Sequence, residues 1–243
     1  MTLAILSALA DEQRSLIAQL QQPHQVTHAG RMFWLGTLHG HAVVLALSRI
    51  GKVSAAVTAS ALIEHFGAQR IVFTGVAGGV GPDVQVGDVV VATQFIQHDL
   101  DVSPLYPRYE VPLYGQSCFA ADTVLGHQLV QATRAALQAM GLAATVHLGL
   151  LASGDQFIGS AQASGTLCSD LAAAGHLPLA VEMEGAAVAQ VCHDYGVPFA
   201  AVRTISDRAD DSAHVDFTMF ARDVAGRYAE AIIREFLTSL LIT

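Results

Sequence analysis

The sequence predicts an α/β protein in which a central mixed sheet lies between two layers of helices, a three-layer αβα sandwich. Short apolar segments with the composition of strands alternate with longer segments of helical periodicity. The segment Arg70–Thr74 is almost continuously apolar, as in strands that are covered on both faces. We find no internal repeat or linker, so residues 1–243 are expected to form one domain.

The first part of the chain predicts a strand, a helix and a hairpin. Leu3–Ala8 is a short apolar strand, and Asp11–Gln21 follows it with apolar residues at helical spacing. Met32–Leu38 and Ala42–Leu47 are expected to pair around a His-Gly-His turn. Val53–Phe66 is an alanine-rich helix that leads into the apolar strand described above.

The remaining elements continue the alternation. Val86–Gln97 is a predicted strand, and Leu100–Gly115 is a predicted irregular loop because it contains three prolines. The later predicted elements are a helix at Thr123–Met140, strands at Val146–Ala152 and Leu179–Met183, a helix through Tyr195, a strand at Val197–Ile205 and a long helix at Asp216–Leu241. In such folds ligands bind at the carboxyl ends of strands, so polar residues there are the functional candidates.

Composition excludes several classes of function. The formal charge of −9, with Lys52 as the only lysine, argues against a nucleic-acid partner. No apolar run reaches the roughly 20 residues that span a bilayer, so no membrane role is expected. Cys118, Cys168 and Cys192 are odd in number and widely spaced, which favours a reducing cytoplasm. The histidines show no metal-binding spacing, and we expect neither a metal nor another cofactor.

A glycine-rich segment, 75–81, follows one strand and reads GVAGGVG. It fails as a dinucleotide fingerprint because Val84 stands where the third glycine belongs, and Pro82 interrupts the start of a helix. Without Cβ atoms the backbone can approach a flat or ribosyl ligand closely. A tight turn from strand to loop is the alternative interpretation.

Carboxylates stand at the ends of two predicted strands. Glu182 and Glu184 lie beside the strand at 179–183, and Asp207 follows the strand at 197–205. Acids at such positions are candidates for general acid–base catalysis. Asp207 also has a structural alternative, as a turn cap or as an ion-pair partner of a neighbouring arginine, and Glu184 could simply open a helix.

These residues fall within segments that resemble the 5′-methylthioadenosine/S-adenosylhomocysteine nucleosidases of the purine nucleoside phosphorylase family. The matching segments are 8–12 (ALADE), 50–53 (IGKV), 75–79 (GVAGG), 86–90 (VGDVV), 153–158 (SGDQFI), 181–186 (VEMEGA) and 203–207 (RTISD). The resemblance covers nearly the whole chain. It implies a nucleoside phosphorylase-like fold and hydrolysis of an adenine nucleoside with an apolar 5′ substituent.

The resemblance also implies roles for three acids. Asp207 would give a proton to purine N7, Glu12 would activate the attacking water and Glu184 would hold the ribose hydroxyls. Burial, with Ser206 as hydrogen-bond neighbour, is expected to raise the pKa of Asp207. Val76, Gly78, Ser206 and Arg203 are implied as further substrate-binding residues.

For the base, the resemblance implies stacking on Phe157, edge contacts with the Ile158 backbone, and Met183 under the ribose; an ordinary core position is the alternative for Phe157 and Met183. The 5′ group would lie against Leu9, Ile50 and Phe217. Val102 and Leu105 would come from a second subunit of a homodimer, so that the 102–105 loop completes the neighbouring site. Val76, Leu9 and Leu105 depart from the serine, methionine and phenylalanine expected in relatives, which leaves the preferred 5′ group open.

Three other functions remain open at this stage. A phosphorylase would need cations around a phosphate, for which Arg49 is the candidate, whereas a carboxylate at position 12 would repel that anion. A nucleosidase acting on aminodeoxyfutalosine would need a more open pocket. A non-catalytic nucleoside-binding protein would have little need for all three acids.

Overall fold

The computed structural model describes residues 2–240 of the chain, apart from the Asp223 side chain. Its strands are β1 (Leu3–Ser7), β2 (Gln21–His28), β3 (Arg31–Leu38), β4 (His41–Leu47), β5 (Arg70–Gly79), β6 (Val89–Gln97), β7 (Cys118–Ala120), β8 (Val146–Ser153), β9 (Pro178–Glu182) and β10 (Phe199–Asp207). Its helices are α1 (Ala10–Ala18), α2 (Lys52–Glu64), α3 (Thr123–Ala139), α4 (Ala161–Ala173), α5 (Gly185–Tyr195), α6 (Ala213–Phe220) and α7 (Gly226–Leu240). A π-helical segment, Ala221–Ala225, joins α6 to α7.

The strands form one mixed sheet with the order β10-β6-β8-β9-β5-β1-β4-β3-β2, and β7 adds to β6. Strand β1 runs parallel to β4 and β5, whereas β2, β3 and β4 form an antiparallel meander. Strand β10 pairs with β5 as well as with β6. Five strands therefore close into a ring, and the remaining sheet extends from β5 through β1.

Helices cover the two faces of this sheet. Apolar residues of α2 and α5 pack into one buried cluster with Phe73 and Phe95, and residues of α1, α3 and α7 pack into another with Ile5 and Val202. Burial of these apolar side chains is the main force that holds the layers together. The predicted three-layer α/β class with a mixed sheet is confirmed, while the single domain 1–243 stays a prediction.

Three elements were not predicted from the sequence. Strand β2 reads QQPHQVTH and is mostly exposed at the sheet edge, so it lacks the apolar alternation by which strands are recognised. The predicted helix Asp11–Gln21 ends at Ala18, and Gln21 instead begins β2. Strand β7 and helix α4 were also missed; α4 begins at Ala161 and is capped by Ser160, whose hydroxyl accepts the Ala163 N–H at 3.2 Å.

The predicted helix Asp216–Leu241 is wrong as a continuous α-helix. It divides into α6, the π-helical segment and α7, and Leu241 lies outside the described residues. The predicted irregular loop Leu100–Gly115 is confirmed, with one isolated bridge between Val111 and Gln116. Within residues 2–240, no helix is both long and apolar enough to cross a membrane.

Residues 75–79 of the glycine-rich segment are not a turn, because they belong to β5, which pairs at Gly78 with both β9 and β10; only Val80 and Gly81 lie beyond the strand. A Cβ built on Gly78 would lie 2.8 Å from Asp207 Oδ1, and one built on Gly75 would lie 3.0 Å from Glu12 Oε1. The glycines thus let two acidic side chains lie directly against the strand.

Candidate active site

A cavity of about 310 Å³ opens where β1, β5, β8, β9 and β10 end. This is the carboxyl edge of the parallel strands, where α/β proteins bind ligands. It is lined by Ala8, Leu9, Glu12, Ile50, Val76, Ala77, Gly78, Gln156, Phe157, Ile158, Val181, Glu182, Met183, Glu184, Asp207 and Phe217. The structure therefore brings Glu12, Glu184 and Asp207, which are distant in sequence, to one cavity.

Glu12 lies in the first turn of α1, directly after β1. Its Oε2 accepts the N–H groups of Ala8 and Leu9, each at 2.9 Å, and its Oε1 accepts the Val76 N–H at 3.1 Å. Burial raises the pKa of Glu12 by more than these donors and the Arg203 charge lower it. The side chain is consequently fixed in direction and is a stronger base than an exposed glutamate.

Glu184 lies between β9 and α5, and it is buried. Its Oε1 accepts the Gly51 N–H at 2.9 Å, which connects it to the loop before α2. Burial and then the negative charge of Glu182 raise the pKa of Glu184 to about 8, against the lowering effect of the Gly51 N–H. Hydroxyl groups of a ligand that donate hydrogen bonds to Glu184 would favour the ionised form of its carboxyl group.

Asp207 ends β10, just after a bulge between Ile205 and Asp207. Its Oδ1 accepts the Ala209 N–H at 2.9 Å, and its Oδ2 accepts the Ser206 hydroxyl at 2.7 Å. Burial raises the pKa of Asp207 despite these two donors. The expectation that Ser206 helps to raise this pKa is wrong, because a hydroxyl that donates to the carboxyl favours the ionised form.

Most of the remaining cavity lining is apolar, and we call it the apolar wall. Phe157 is half exposed, and its ring meets Phe217 edge to face, with the centroids 5.8 Å apart. The other predicted substrate-binding residues that line the cavity are Val76, Gly78, Ile158, Met183, Leu9 and Ile50. Three acids thus share one cavity with apolar residues that suit an apolar, partly aromatic ligand.

The phosphorylase superfamily model matches residues 2–238, which is nearly the whole chain. The chain belongs to the phosphorylase superfamily. A 5′-methylthioadenosine/S-adenosylhomocysteine nucleosidase of Shewanella sediminis is 34% identical over 99% of this chain and 100% of its own. An aminodeoxyfutalosine nucleosidase of Campylobacter jejuni is 34% identical over 96% of this chain and 97% of its own.

Among solved structures, this superfamily member is similar to the 5′-methylthioadenosine/S-adenosylhomocysteine nucleosidase of Neisseria meningitidis in complex with methylthio-immucillin-A. That similarity has a TM-score of 0.87 and 35% identity, and it covers 98% of this chain and 99% of the other. The predicted resemblance and the nucleoside phosphorylase-like fold are therefore confirmed.

Two predicted substrate contacts of this superfamily member have other partners. Arg203 is buried, and its Nη2 lies 2.8 Å from Glu182 Oε2. Its guanidinium carbon, Cζ, lies over the Phe73 ring, 3.9 Å from the ring centroid. Ser206 binds Asp207 instead of facing the cavity. Within residues 2–240, neither residue is part of the cavity lining, and their predicted contact with a substrate stays a prediction.

Val102 and Leu105 also lie outside this cavity, as judged over the described part of the chain. Leu105 is 80% exposed, on the loop between β6 and β7. Their predicted contribution to the site of a second subunit stays a prediction.

Glu182 was one of the carboxylate candidates in the sequence, but the resemblance gave it no role in the site. It lines the cavity, and its carboxylate accepts the Ser153 hydroxyl, the N–H groups of Glu184 and Gly185, and the Arg203 guanidinium. Residues two apart in an extended segment share a face, so its spacing from Glu184 was the available signal. The other lining residues that were not predicted are Ala8, Ala77, Gln156 and Val181.

Arg49, the phosphate-binding candidate, points away from the acids. Its guanidinium donates to the Gly30 carbonyl at 2.6 Å. Among the described residues, no arginine or lysine lines the cavity, and Arg203, whose charge acts on Glu12 and Glu184, is paired with Glu182. Residues 2–240 contain no cluster of three or more metal-binding side chains.

Proposed function

We propose that this chain hydrolyses the N-glycosidic bond of 5′-methylthioadenosine and S-adenosylhomocysteine, releasing adenine and the 5′-thioribose. The observation that carries the proposal is the convergence of Glu12, Glu184 and Asp207 on one cavity with an apolar wall. The 34% identity to a nucleosidase with this specificity, over full length, supports the same reaction.

The departing base is served by Asp207. As the bond between C1′ and N9 breaks, its electron pair moves onto adenine, and a proton delivered to N7 neutralises it. Because burial raises the pKa of Asp207, the carboxyl retains that proton nearer to neutral pH. General acid catalysis of this kind contributes about 10² to 10⁴ in rate.

The sugar is served by the two glutamates. Water attacks C1′ while Glu12, whose carboxylate is held by three backbone N–H groups, accepts its proton. Glu184 accepts hydrogen bonds from the ribose hydroxyls and places negative charge near the cationic transition state. Solvent then returns a proton to Asp207 and removes one from Glu12, so the cycle balances.

The base and the 5′ group occupy the apolar wall. Phe157 stacks on adenine, the Ile158 backbone meets its edge, and Met183 lies under the ribose. Leu9, Ile50 and Phe217 contact the 5′ substituent, which favours a thioether over a hydroxyl. Since each buried CH₂ contributes roughly 0.8 kcal/mol, the methylthio group would be preferred to a hydroxyl by a few tens-fold.

Activity toward aminodeoxyfutalosine is the second candidate. Its support is the Campylobacter jejuni nucleosidase, which is as similar in identity as the first relative, together with the exposure of Ile50, which the proposal places against the 5′ group. A bulkier 5′ tail needs an open side of the cavity. A phosphorylase is disfavoured because Arg49 is turned toward Gly30.

The proposal also covers the oligomeric state of the protein, its location in the cell and its metabolic role. A homodimer would bring Val102 and Leu105 of one copy to the 5′ end of the other cavity, and the exposure of Leu105 supports such a contact. A cytoplasmic location and a part in methionine salvage would accompany the reaction.

The deciding experiment incubates the protein with methylthioadenosine, with and without phosphate, and identifies the sugar. Free methylthioribose without phosphate supports hydrolysis, whereas a phosphate-dependent sugar phosphate refutes it. Parallel kcat/KM values for S-adenosylhomocysteine, adenosine and aminodeoxyfutalosine rank the 5′ groups. Asp207→Asn should lower kcat by about 10² to 10⁴. The matched control, Asp83→Asn, replaces an exposed carboxylate that does not line the cavity and should retain activity.

A further inference from the structure

The single lysine of the chain takes part in an ion pair beside the candidate site. Lys52 Nζ lies 2.6 Å from Asp99 Oδ1 and 3.0 Å from Gln97 Oε1. The two charged side chains are only 15% and 20% exposed. A pair that is shielded in this way is more rigid and less screened by salt than one on an open surface.

A third residue closes these contacts into a ring. Asp99 Oδ2 accepts the Asp155 N–H at 2.8 Å, and Asp155 Oδ1 accepts the Lys52 N–H at 2.7 Å. We call Lys52, Asp99 and Asp155 the lysine clasp. Burial alone would raise the pKa of Asp99, but the Lys52 ammonium and the Asp155 N–H lower it below its usual value, which favours the ionised, paired form.

The clasp joins two neighbouring loops, each of which contributes a residue to the cavity lining, Ile50 before α2 and Phe157 after β8. Next to Lys52, the Gly51 N–H donates to Glu184, which faces the ribose in the proposed function. Just after Asp155, the chain supplies Phe157 and Ile158 for the base. Across the described residues, no member of the clasp itself lines the cavity. Any effect on a ligand therefore passes through these neighbours.

Gly51 shows how closely the loops approach. Its φ is +94°, a conformation that side chains rarely adopt, and an added Cβ would lie 3.1 Å from Asp155 Oδ1. The loop before α2 is thus shaped to place one N–H on Glu184 and the next on Asp155.

We propose that the lysine clasp fixes the separation between the loop before α2, whose Gly51 N–H holds Glu184, and the loop after β8, which carries Phe157 and Ile158. Lys52 and Asp99 are then positioning residues for an intact nucleoside. The inference rests on the proposed function. An adenine nucleoside touches both loops, whereas free adenine touches only the loop after Asp155. If the two loops are already held at the right distance, the protein loses less conformational entropy when a ligand that contacts both loops binds.

The test compares Lys52→Met with Lys52→Arg, which keeps the positive charge. The ligands are free adenine and a non-hydrolysable, carbon-linked analogue of methylthioadenosine. For Lys52→Met we expect the Kd of the analogue to rise about tenfold or more and the Kd of adenine to change less than about twofold. Lys52→Arg should recover most of the lost affinity. Equal weakening of both ligands, or of neither, would overturn the proposal.

Further variants separate positioning from folding. Asp99→Asn removes the negative partner of the same ion pair. Because the two changes break one interaction, the double variant with Lys52→Met should raise the Kd of the analogue little more than either single variant does. Arg14→Met breaks an exposed ion pair with Asp11 and should leave both Kd values unchanged. Full additivity of the two clasp variants would contradict a shared role.

The failure of this inference differs from that of the proposed function. If the wild-type protein does not release adenine from methylthioadenosine, the proposed function fails and the clasp proposal with it. If the wild-type protein hydrolyses the nucleoside but Lys52→Met keeps the wild-type ratio of the two Kd values, only the clasp proposal fails.

Discussion

Gly78 lies so close to Asp207 that a Cβ on the glycine would stand 2.8 Å from Asp207 Oδ1 and 3.2 Å from the Ala209 Cβ. The backbone of one strand therefore forms the surface on which the proposed acid rests. Because Ala209 donates its N–H to the same carboxyl oxygen, a group inserted there disturbs both the position and the hydrogen bonding of Asp207.

Gly78→Ala should consequently lower kcat, by about 10² if the proton of Asp207 is no longer aligned with the base. Gly165→Ala is the matched control, because an added Cβ there meets no atom within 4 Å and lies in α4. The control should keep activity and gain a little stability from alanine's higher helix propensity. Steady-state kinetics and thermal unfolding of both variants make the comparison. Normal kcat in Gly78→Ala would argue against Asp207 as the acid.

Ser206→Ala tests the hydrogen bond to Asp207 through the pH profile. The Ser206 hydroxyl lowers the pKa of Asp207, so its removal should raise that pKa further. A proton donor then stays protonated to higher pH, and the alkaline limb of kcat/KM should move upward. The profiles of wild type and variant, measured from pH 5 to 10, decide the direction. A downward shift would mean that Ser206 supports the protonated form.

Glu184 should make the folded protein less stable as pH rises. Its folded pKa is about 8 against an ordinary value of 4.5, so between these values the folded state binds more protons than the unfolded state. Stability from this group is then complete below pH 4.5 and is lost as pH rises through about 8.

The measurement is the thermal midpoint of unfolding at several pH values between 5 and 9. Glu184→Gln, which keeps an oxygen for the Gly51 N–H, should remove much of the decline. Asp83→Asn replaces an exposed carboxylate and should leave the slope unchanged. A steeper decline in Glu184→Gln than in wild type would contradict the assignment.

Phe217→Ala tests the apolar wall. Loss of the ring that meets Phe157 should reduce the preference for methylthioadenosine over adenosine by about tenfold, because apolar contact with the 5′ group is lost. Met219 lies on the same helix and is 55% exposed, so Met219→Ala is the control. The ratio of kcat/KM for the two nucleosides is the readout; an unchanged ratio would place the 5′ group elsewhere.

The α/β class and most of the strands could be predicted because buried strands carry long apolar runs, as Arg70–Thr74 does. Strand β2 could not, since its side chains are polar and its position is set by pairing with β3. The division of the predicted helix Asp216–Leu241 into α6, the π-helical segment and α7 also left no signal in the sequence. The π-helical segment contains residues of the same kinds as the helices on either side of it. Local propensity does not encode such tertiary choices.

In the site, the resemblance named three acids that the structure places in one cavity, but it did not give the contacts of their neighbours. Whether Arg203 faces a ligand or Glu182 depends on how β9 and β10 lie relative to each other, which no local motif contains. Burial raises the pKa of Asp207, whereas the Ser206 hydroxyl lowers it. The sequence could not predict this opposition, because it does not show that the hydroxyl donates to the carboxyl group.

The pairing of β10 with both β5 and β6 has a consequence for dynamics. Between Val202 and Thr204 this strand has a hydrogen-bonded neighbour on each side, so it cannot fray as an edge strand does. Its amide hydrogens should exchange with deuterated solvent among the slowest in the chain, and only when the whole protein opens. Those of β2, at the free edge, should exchange early, so Asp207 is carried by the most persistent part of the molecule.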